Sequence, residues 1–419
     1  MQSRVFSSLW NGLLALMMLA AVTHSVLAQD LKSFEQKITT KVLPNGITLI
    51  VCERSEAPVF SYSTFVDAGD VNDPTGQSGL AHMFEHLAFK GTTEIGTTDY
   101  PKEKIALEEH FSIPETVDSS YAVHRGADVL RLIAEIGPDR MAEMDRGGVE
   151  ICIISLVAPG IQGVPNASQA VALSRRANDR LAENIAKYPK RLKGFAALPL
   201  QDPDAASREL TRCVKELGFC GALVNGFSQV GDADSAVYYD LPQYRPFWAT
   251  VEQLDVPLYL HPREPLPTRR QAYEGHQWMV SSAWGLGAET SIHALRLMGS
   301  GLFDSYPKLK VILGHLGEGV PFGIWRVDHR IAKTGVRPQA KLPISHYLRE
   351  NFYITTSGNF RTQALTDVIM EVGVDRVLYS VDYPFEDMGV AADWFDHAPI
   401  AESDRVKIAS GNARQLFRL

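Results

Sequence analysis

The sequence predicts an α/β protein whose larger, C-terminal part is a parallel (β/α)8 barrel. Eight short apolar runs recur from about residue 104 onward, and each ends in polar or small residues. Segments of helical length separate them, and 169–189 and 202–217 carry Ala, Leu and Val at helical spacing. Hydrophobic strands that alternate with helices are typical of a closed parallel sheet. An open doubly wound sheet is the alternative, but no GxGxxG or Walker pattern follows any strand. The predicted strands are residues 104–110, 149–155, 193–198, 221–225, 256–261, 311–315, 352–357 and 377–382.

Residues 29–103 do not follow this rhythm and predict a separate, incomplete α+β segment. The stretch "ITTKVLPNGITLIVCE" predicts a hairpin around Pro44-Asn45-Gly46, and "VFSYSTFVDAGD" predicts a further strand. "SGLAHMFEHLAF" predicts a helix that begins near Ser78. The two patterns meet in "DYPKEK", so we place a domain boundary between residues 103 and 104.

The first 28 residues have the pattern of a secretory signal peptide. Arg4 precedes an apolar stretch at 13–22, and a small-residue cleavage pattern ends at Ala28. The apolar stretch is short for a bilayer span, so an uncleaved anchor is the less favoured alternative. This segment therefore predicts export.

Composition excludes some partners. The formal net charge is −8, which leaves no basic surplus for binding a nucleic acid. The four cysteines lack CxxC spacing, and we interpret them as buried free thiols. They are Cys52, Cys152, Cys213 and Cys220.

The segment before the barrel contains one possible metal motif, His82-Met83-Phe84-Glu85-His86. On a helix His82 and His86 would share one face and could chelate zinc, while Glu85 activates a water. Together with "LPNGITLIV" and "FVDAGDVNDPTGQSGLAHMFEHLAFKGT", the motif resembles the N terminus of pitrilysin- or insulinase-type metallopeptidases over about 36–104. That family takes a third ligand, a glutamate, from a later helix, and here the barrel pattern begins first. We therefore expect a truncated fragment without a stable metal or protease activity.

A second group of residues lies at the ends of the predicted barrel strands. Active-site residues of such barrels lie at the carboxyl ends of the strands. One carboxylate and two imidazoles with a further carboxylate opposite form a mixed oxygen and nitrogen site that suits one Zn²⁺ or Mn²⁺. The residues at these ends are Glu108, His110, His261, His315 and Asp382.

Residues 104–419 closely resemble the γ-resorcylate (2,6-dihydroxybenzoate) decarboxylases of the amidohydrolase superfamily. The resemblance rests on "KIALEEHFSIPET", "YYDLPQYRPFW", "LDVPLYLHPREPLP", "HALRLMGSGLFDSYPKLKVILGHLGEG" and "SVDYPFE". It implies an amidohydrolase-like TIM barrel and one divalent metal ion. The implied metal ligands are Glu108, His110, His261 and Asp382. The implied catalytic or substrate-orienting residues are Asp382, His315, Glu318 and Arg326.

The resemblance implies reversible, non-oxidative decarboxylation of a small aromatic carboxylate. An ortho-hydroxybenzoate could chelate the metal, and Asp382 could protonate the ring carbon if an enclosed site raised its pKa. Glu318 could orient His315, and Arg326 could bind a carboxylate across a subunit boundary. Phe227 and Trp284 are possible partners for the aromatic ring.

Several alternatives remain open from the sequence. A hydrolase of the same superfamily, acting on a lactone or amide, is the second hypothesis, although Glu-x-His on the first strand favours decarboxylation. A secreted zinc peptidase is a third, and a non-catalytic binding protein is the least favoured. The resemblance also implies a homotetramer and a cytoplasmic enzyme, which conflicts with the signal peptide.

Overall fold

The computed structural model describes residues 38–44, 47–52, 103–120, 123 and 125–419. The chain divides into two compact units, 1–87 and 88–419. In the first unit, β1 (Ile38–Val42) pairs antiparallel with β2 (Thr48–Cys52), which is the predicted hairpin. The predicted signal peptide, the following strand and the helix with His82, Glu85 and His86 lie outside the described residues.

Eight parallel strands form the sheet of the second unit, and they occupy the eight predicted positions. Each strand pairs with the one that follows it in the chain, so the barrel prediction is confirmed and the doubly wound alternative is wrong. The strands are β3 (Lys104–Phe111), β4 (Val149–Leu156), β5 (Leu192–Ala196), β6 (Gly221–Asn225), β7 (Leu258–His261), β8 (Val311–Leu313), β9 (Phe352–Thr355) and β10 (Val377–Leu378).

Helices follow the strands and cover the outside of the sheet. None of the described helices is both long and apolar enough to span a bilayer. The helices are α1 (Pro114–Val117), α2 (Ala127–Ala134), α3 (Pro138–Arg146), α4 (Ala167–Ile185), α5 (Pro203–Lys215), α6 (Arg245–Leu254), α7 (Gly285–Gly299), α8 (Leu302–Ser305), α9 (Val320–Thr334), α10 (Ile344–Asn351), α11 (Thr362–Val372), α12 (Met388–His397), α13 (Glu402–Val406) and α14 (Asn412–Phe417), with one π-helical turn at Lys407–Gly411.

Local sequence explains where these helices begin. The Asn166 side chain accepts a hydrogen bond from Gln169 N at the start of α4, and Asp202 accepts one from Ala205 N at the start of α5. Such caps satisfy backbone N–H groups that have no partner inside the helix. Pro203 follows Asp202 at the first helical position, where its missing N–H costs nothing.

Alternation along each strand divides the core in two. On β3, Ala106 packs outward under the helices, while Ile105 and Leu107 point into the barrel. Inside the barrel they meet the side chains of other strands, and Phe417 of α14 belongs to the same cluster. This interior packing leaves the polar residues at the carboxyl ends of the strands.

The barrel closes between β10 and β3 without a strand ladder in the described residues. Ser380 Oγ donates to Leu107 O at 2.8 Å, and His110 N donates to Tyr383 O at 2.8 Å. We call this junction, formed by residues 107–110 and 380–383, the seam.

Candidate active site

A β-bulge places the first two site residues. The pairing of β3 with β4 shifts register between Leu107 and Glu109, and Glu108 has φ +89°. Both Glu108 and His110 are fully buried, and both contribute atoms to one cluster at the carboxyl end of the barrel. The extra residue in the bulge re-aims the Glu108 side chain.

Four side chains converge on one point at the carboxyl end of the barrel. One ligand atom from each of them lies within 4.8 Å of the others. His261 Nε2 lies 3.2 Å from Glu108 Oε1, and His110 Nε2 lies 3.2 Å from Asp382 Oδ1. Among the described residues, Glu108 Oε1, His110 Nε2 and Asp382 Oδ1 are buried without a hydrogen-bond partner. Buried polar atoms normally have partners, so this donor set fits a divalent cation.

Two hydroxyl groups fix the other oxygen of Glu108. The hydroxyls of Tyr259 and Ser357 both donate to Glu108 Oε2. The Tyr259 hydroxyl also lies 2.9 Å from Thr355 Oγ1, which in turn lies 2.9 Å from Ser357 Oγ. Gly314 lies close to this oxygen, and a Cβ at position 314 would be only 2.7 Å from it. One oxygen is thus fixed by the protein, and the other is left for a metal.

Charge states in the cluster suit metal ligation. Burial alone would raise the pKa of Glu108, but the imidazoles of His315 and His261 outweigh it and hold the pKa below 4.5. Burial lowers the pKa of His261, which therefore stays neutral. For Asp382, the effect of burial is outweighed by the nearby imidazoles of His110 and His315, which lower its pKa. The expectation that an enclosed site raises the pKa of Asp382 is therefore wrong: the neighbouring side chains lower it.

His315 lies beside the cluster in a tight turn after β8. Residues 315–319 all have positive φ, including His315 at +51° and Glu318 at +56°. His315 Nδ1 lies 2.6 Å from Glu318 Oε1, and His315 Nε2 lies 3.5 Å from Asp382 Oδ2. Burial would lower the pKa of His315, but the carboxylates of Glu318, Glu108 and Asp382 raise it well above 6.5. His315 is therefore an imidazolium next to an ionised Asp382.

A cavity of about 700 Å³ opens onto this group. His315, Glu318 and Asp382 line it, and much of the remaining wall is apolar. A pocket with an apolar wall and a few convergent polar groups is the usual form of a small-molecule site. The apolar wall residues include Leu286, Leu295, Val320 and Val327.

Of the three other residues predicted from the sequence, one lines the cavity and two do not. Trp284 is 62% exposed and lines the cavity. Phe227 is buried, and the Arg263 guanidinium lies 4.3 Å from its ring, so it belongs to the core and not to the cavity wall. Arg326 is exposed on α9, and its neighbour Val327 lines the cavity in its place. Within the described part of one chain, the structure therefore does not bring Arg326 to the site.

Sequence reasoning missed three residues that contact the cluster. Tyr259 lies two residues before His261 on β7, so strand alternation could have identified it. Ser357 lies two residues after the end of β9, so the rule that site residues follow strand ends could have identified it. Phe385 packs edge-on against His110 with ring centroids 5.8 Å apart, and no sequence signal indicates that contact.

Comparison with known proteins gives two family matches. The amidohydrolase family model matches residues 110–419, and the insulinase (peptidase family M16) model matches residues 49–108. The two matches nearly abut at β3, close to the predicted domain boundary.

Relatives that are more than half identical to the barrel are gamma-resorcylate decarboxylases. The gamma-resorcylate decarboxylase of Rhizobium sp. (strain MTP-10005) is 55% identical over 321 residues, which cover 75% of this chain and 98% of that protein. A crystal structure of 2,6-dihydroxybenzoate decarboxylase complexed with 2,6-dihydroxybenzoate is 54% identical, with a TM-score of 0.74 over 76% of this chain and 99% of that one. The dihydroxybenzoic acid decarboxylase from Polaromonas sp. JS666, solved with manganese and 2-nitroresorcinol, is 53% identical with a TM-score of 0.74 over 76% and 97%.

The identity and coverage of these matches exceed what a shared fold alone produces. The matched region contains three of the four cluster residues, His110, His261 and Asp382, and Glu108 lies two residues before it. The chain belongs to the amidohydrolase family and, within it, to the gamma-resorcylate decarboxylase family.

Proposed function

We propose that this protein catalyses the metal-dependent, non-oxidative and reversible decarboxylation of an ortho-hydroxybenzoate similar to 2,6-dihydroxybenzoate. The products are the corresponding phenol and CO₂. The observation that carries the proposal is the placement of Asp382, which belongs to the four-residue cluster and also lines the cavity. Relatives of 55% identity over nearly their full length support the same reaction.

The cluster would hold one divalent ion, with Mn²⁺ favoured by the relative solved with manganese and Zn²⁺ as the alternative. When bound, the ion supplies positive charge that orients the substrate carboxylate and the adjacent phenolic oxygen. The ligands are Glu108, His110, His261 and Asp382.

His315 and Asp382 together supply the proton that the reaction needs. The imidazolium of His315 holds a proton 3.5 Å from Asp382 Oδ2, so the ionised carboxylate can receive it and pass it on. The proton goes to the ring carbon that bears the carboxylate. The C–C bond to the carboxylate then breaks, its electron pair restores the aromatic ring, and CO₂ leaves. Glu318 keeps His315 in the required orientation.

The apolar wall of the cavity would bind the faces of the aromatic ring. Leu286, Leu295 and Val320 exclude water from this side of the cavity, which strengthens the electrostatic interactions around Asp382.

We also propose that the protein works as a homo-oligomer, with the tetramer implied by the family resemblance. Phe322 and Trp325 on α9 are 85% and 69% exposed, and Trp325 stacks on His329. Large exposed aromatics are enriched in subunit interfaces. Arg326 lies on the same helix, so it would reach a site only in a neighbouring subunit. Analytical ultracentrifugation of the wild type and Trp325→Glu tests this proposal, and a wild-type monomer contradicts it.

For the N-terminal part, we propose that residues 1–28 direct export and that the His82, Glu85 and His86 segment has no peptidase activity. The insulinase match ends at residue 108, so it covers no later helix that could supply the missing glutamate. Casein cleavage that Glu85→Gln abolishes would contradict the proposal for the peptidase-like segment. Cell fractionation with N-terminal sequencing of the mature protein tests the signal peptide.

A substrate panel tests the main proposal. The full chain is stripped of metal, reloaded with Mn²⁺ or Zn²⁺, and given 2,6-dihydroxybenzoate, 3,5-dihydroxybenzoate or an aromatic lactone. We expect loss of substrate absorbance and release of CO₂ only with 2,6-dihydroxybenzoate, because only it places a hydroxyl next to the carboxylate. Turnover of the lactone alone would favour the hydrolase alternative.

A further inference from the structure

Glu109 lies between two of the cluster residues but faces away from the cluster. It is fully buried on β3, between Glu108 and His110. The bulge at Glu108 turns the Glu109 side chain toward the seam, where β10 and β3 have no ladder within the described residues. A buried carboxylate is costly unless hydrogen bonds satisfy it.

The partners of Glu109 are the backbone N–H groups of the two residues on either side of Asp382. Val381 N donates to Glu109 Oε1 at 3.1 Å, and Tyr383 N donates to Glu109 Oε2 at 3.0 Å. Ser380 Oγ adds a weaker contact with Oε1 at 3.4 Å. The carboxylate thus binds the backbone immediately before and immediately after Asp382.

Asp382 needs such support because its backbone is strained. Its φ is +82°, in the left-handed region that non-glycine residues seldom adopt. Strain of this kind persists only where the surrounding structure fixes it. Asp382 follows the last residue of β10 by four positions, so no strand ladder holds it.

A buried arginine completes the arrangement behind the cluster. Arg140 of α3 is fully buried, and its guanidinium donates to His110 O at 2.6 Å. The same guanidinium lies over the Tyr383 ring, 4.9 Å from its centroid. Burial raises the pKa of Glu109 to about 7, against the opposing effects of the two backbone hydrogen bonds and of Arg140. Arg140 therefore fixes the backbone at His110, and Glu109 fixes the backbone around Asp382.

We infer that Glu109 is a positioning residue, whose carboxylate accepts hydrogen bonds from the backbone N–H groups of Val381 and Tyr383 and so directs Asp382 toward the metal and the substrate. The kinetic test of this inference rests on the proposed decarboxylation, whereas the test by Mn²⁺ affinity does not. Glu109 contacts neither the cavity nor the four-residue cluster through its side chain.

The test compares Glu109→Gln with Ser380→Ala in the full chain. The glutamine turns an amide NH₂ toward one of the two backbone N–H groups, so at least one bond is lost. Ser380→Ala removes the seam bond to Leu107 O and the weaker 3.4 Å contact with Glu109 Oε1, but it keeps both backbone N–H bonds to the Glu109 carboxylate. It is therefore a control for a weakened seam in which the two bonds around Asp382 remain.

Each variant is titrated with Mn²⁺, examined by Mn²⁺ electron paramagnetic resonance, and assayed with 2,6-dihydroxybenzoate at saturating Mn²⁺. We expect Glu109→Gln to weaken Mn²⁺ affinity about tenfold, to change the resonance spectrum and to lower kcat about tenfold or more with little change in KM. Ser380→Ala should lower Tm but leave Mn²⁺ affinity and kcat within about twofold of wild type.

Two outcomes would overturn the inference. One is wild-type Mn²⁺ affinity and kcat in folded Glu109→Gln, and the other is an equal loss of both in Ser380→Ala. If Glu109→Gln does not fold, Glu109→Asp gives the same test, because it keeps the charge but withdraws the carboxylate by one methylene. If the wild type binds Mn²⁺ but turns over no hydroxybenzoate, the proposed function fails, and the Mn²⁺ titration alone decides the role of Glu109.

Discussion

Removing the Tyr259 hydroxyl should weaken metal binding without unfolding the barrel. Tyr259 is fully buried on β7, and its hydroxyl is one of two that donate to Glu108 Oε2. In Tyr259→Phe the ring stays in the core, but the carboxylate loses one of its two orienting donors. A hydrogen bond to a charged group contributes about 1.5–3 kcal/mol. This corresponds to a loss of about 10- to 100-fold in Mn²⁺ affinity, the range typical for a residue that orients a metal ligand.

The assay is a competition titration of the metal-stripped protein with Mn²⁺ and a fluorescent chelator. Tyr239→Phe is the matched control, because Tyr239 is also fully buried and its hydroxyl lies 2.9 Å from Ser228 Oγ, outside the cluster. We expect both variants to lose some thermal stability but only Tyr259→Phe to lose Mn²⁺ affinity. Unchanged Mn²⁺ affinity in Tyr259→Phe, or an equal loss in Tyr239→Phe, would refute the reasoning.

Three further predictions follow from the site and the core. Glu318→Gln should lower kcat about tenfold or more and leave Mn²⁺ affinity unchanged, because His315 loses the carboxylate that orients it and raises its pKa. Steady-state kinetics together with a Mn²⁺ titration measures both, and an unchanged kcat would contradict the prediction. Gly314→Ala should abolish high-affinity Mn²⁺ binding, because the alanine Cβ would lie 2.7 Å from Glu108 Oε2 and displace it. Calorimetric titration measures the Mn²⁺ affinity. Wild-type affinity in Gly314→Ala would show that the space beside Glu108 accommodates a methyl group. Burial lowers the pKa of His293 to about 3, so the unfolded state takes up a proton that the folded state does not, and stability falls as pH drops below 6.5. From urea unfolding at several pH values, this group should make the free energy of unfolding fall by about 1.4 kcal/mol for each pH unit below 6.5. This slope should be smaller in His293→Gln. Equal slopes in the wild type and His293→Gln would contradict the prediction.

The barrel was predictable because its strands are buried on both faces. Parallel strands that are covered on both sides must be apolar along their whole length, so they contrast with the charged helices between them. The carboxyl ends of such strands meet at one face, which is why Glu108, His110 and His261 could be grouped before the structure was known. Strand bounds were less accurate. His315 and Asp382 were predicted within strands, but their positive φ values put them in turns after β8 and β10.

Other features depend on contacts that a linear pattern does not encode. In the sequence, Glu109 has the pattern of an ordinary strand residue. Its carboxylate faces the seam because of the bulge beside it, which the sequence pattern does not indicate. The pKa of Asp382 is lowered by the nearby imidazoles of His110 and His315, whose effect outweighs the burial that the sequence suggested. Arg326 was assigned by resemblance, and its exposed position on α9 follows from the helix phase.

The central claim is that Asp382 at the metal cluster drives loss of CO₂ from an ortho-hydroxybenzoate. The most direct test is release of ¹³CO₂ from carboxyl-labelled 2,6-dihydroxybenzoate by the Mn²⁺-loaded full chain and by Asp382→Asn, each with its bound Mn²⁺ measured. We predict that the wild type releases labelled CO₂ with formation of resorcinol, and that Asp382→Asn with comparable bound Mn²⁺ releases it at less than about one hundredth of that rate. Labelled CO₂ released by metal-loaded Asp382→Asn at the wild-type rate would contradict the account.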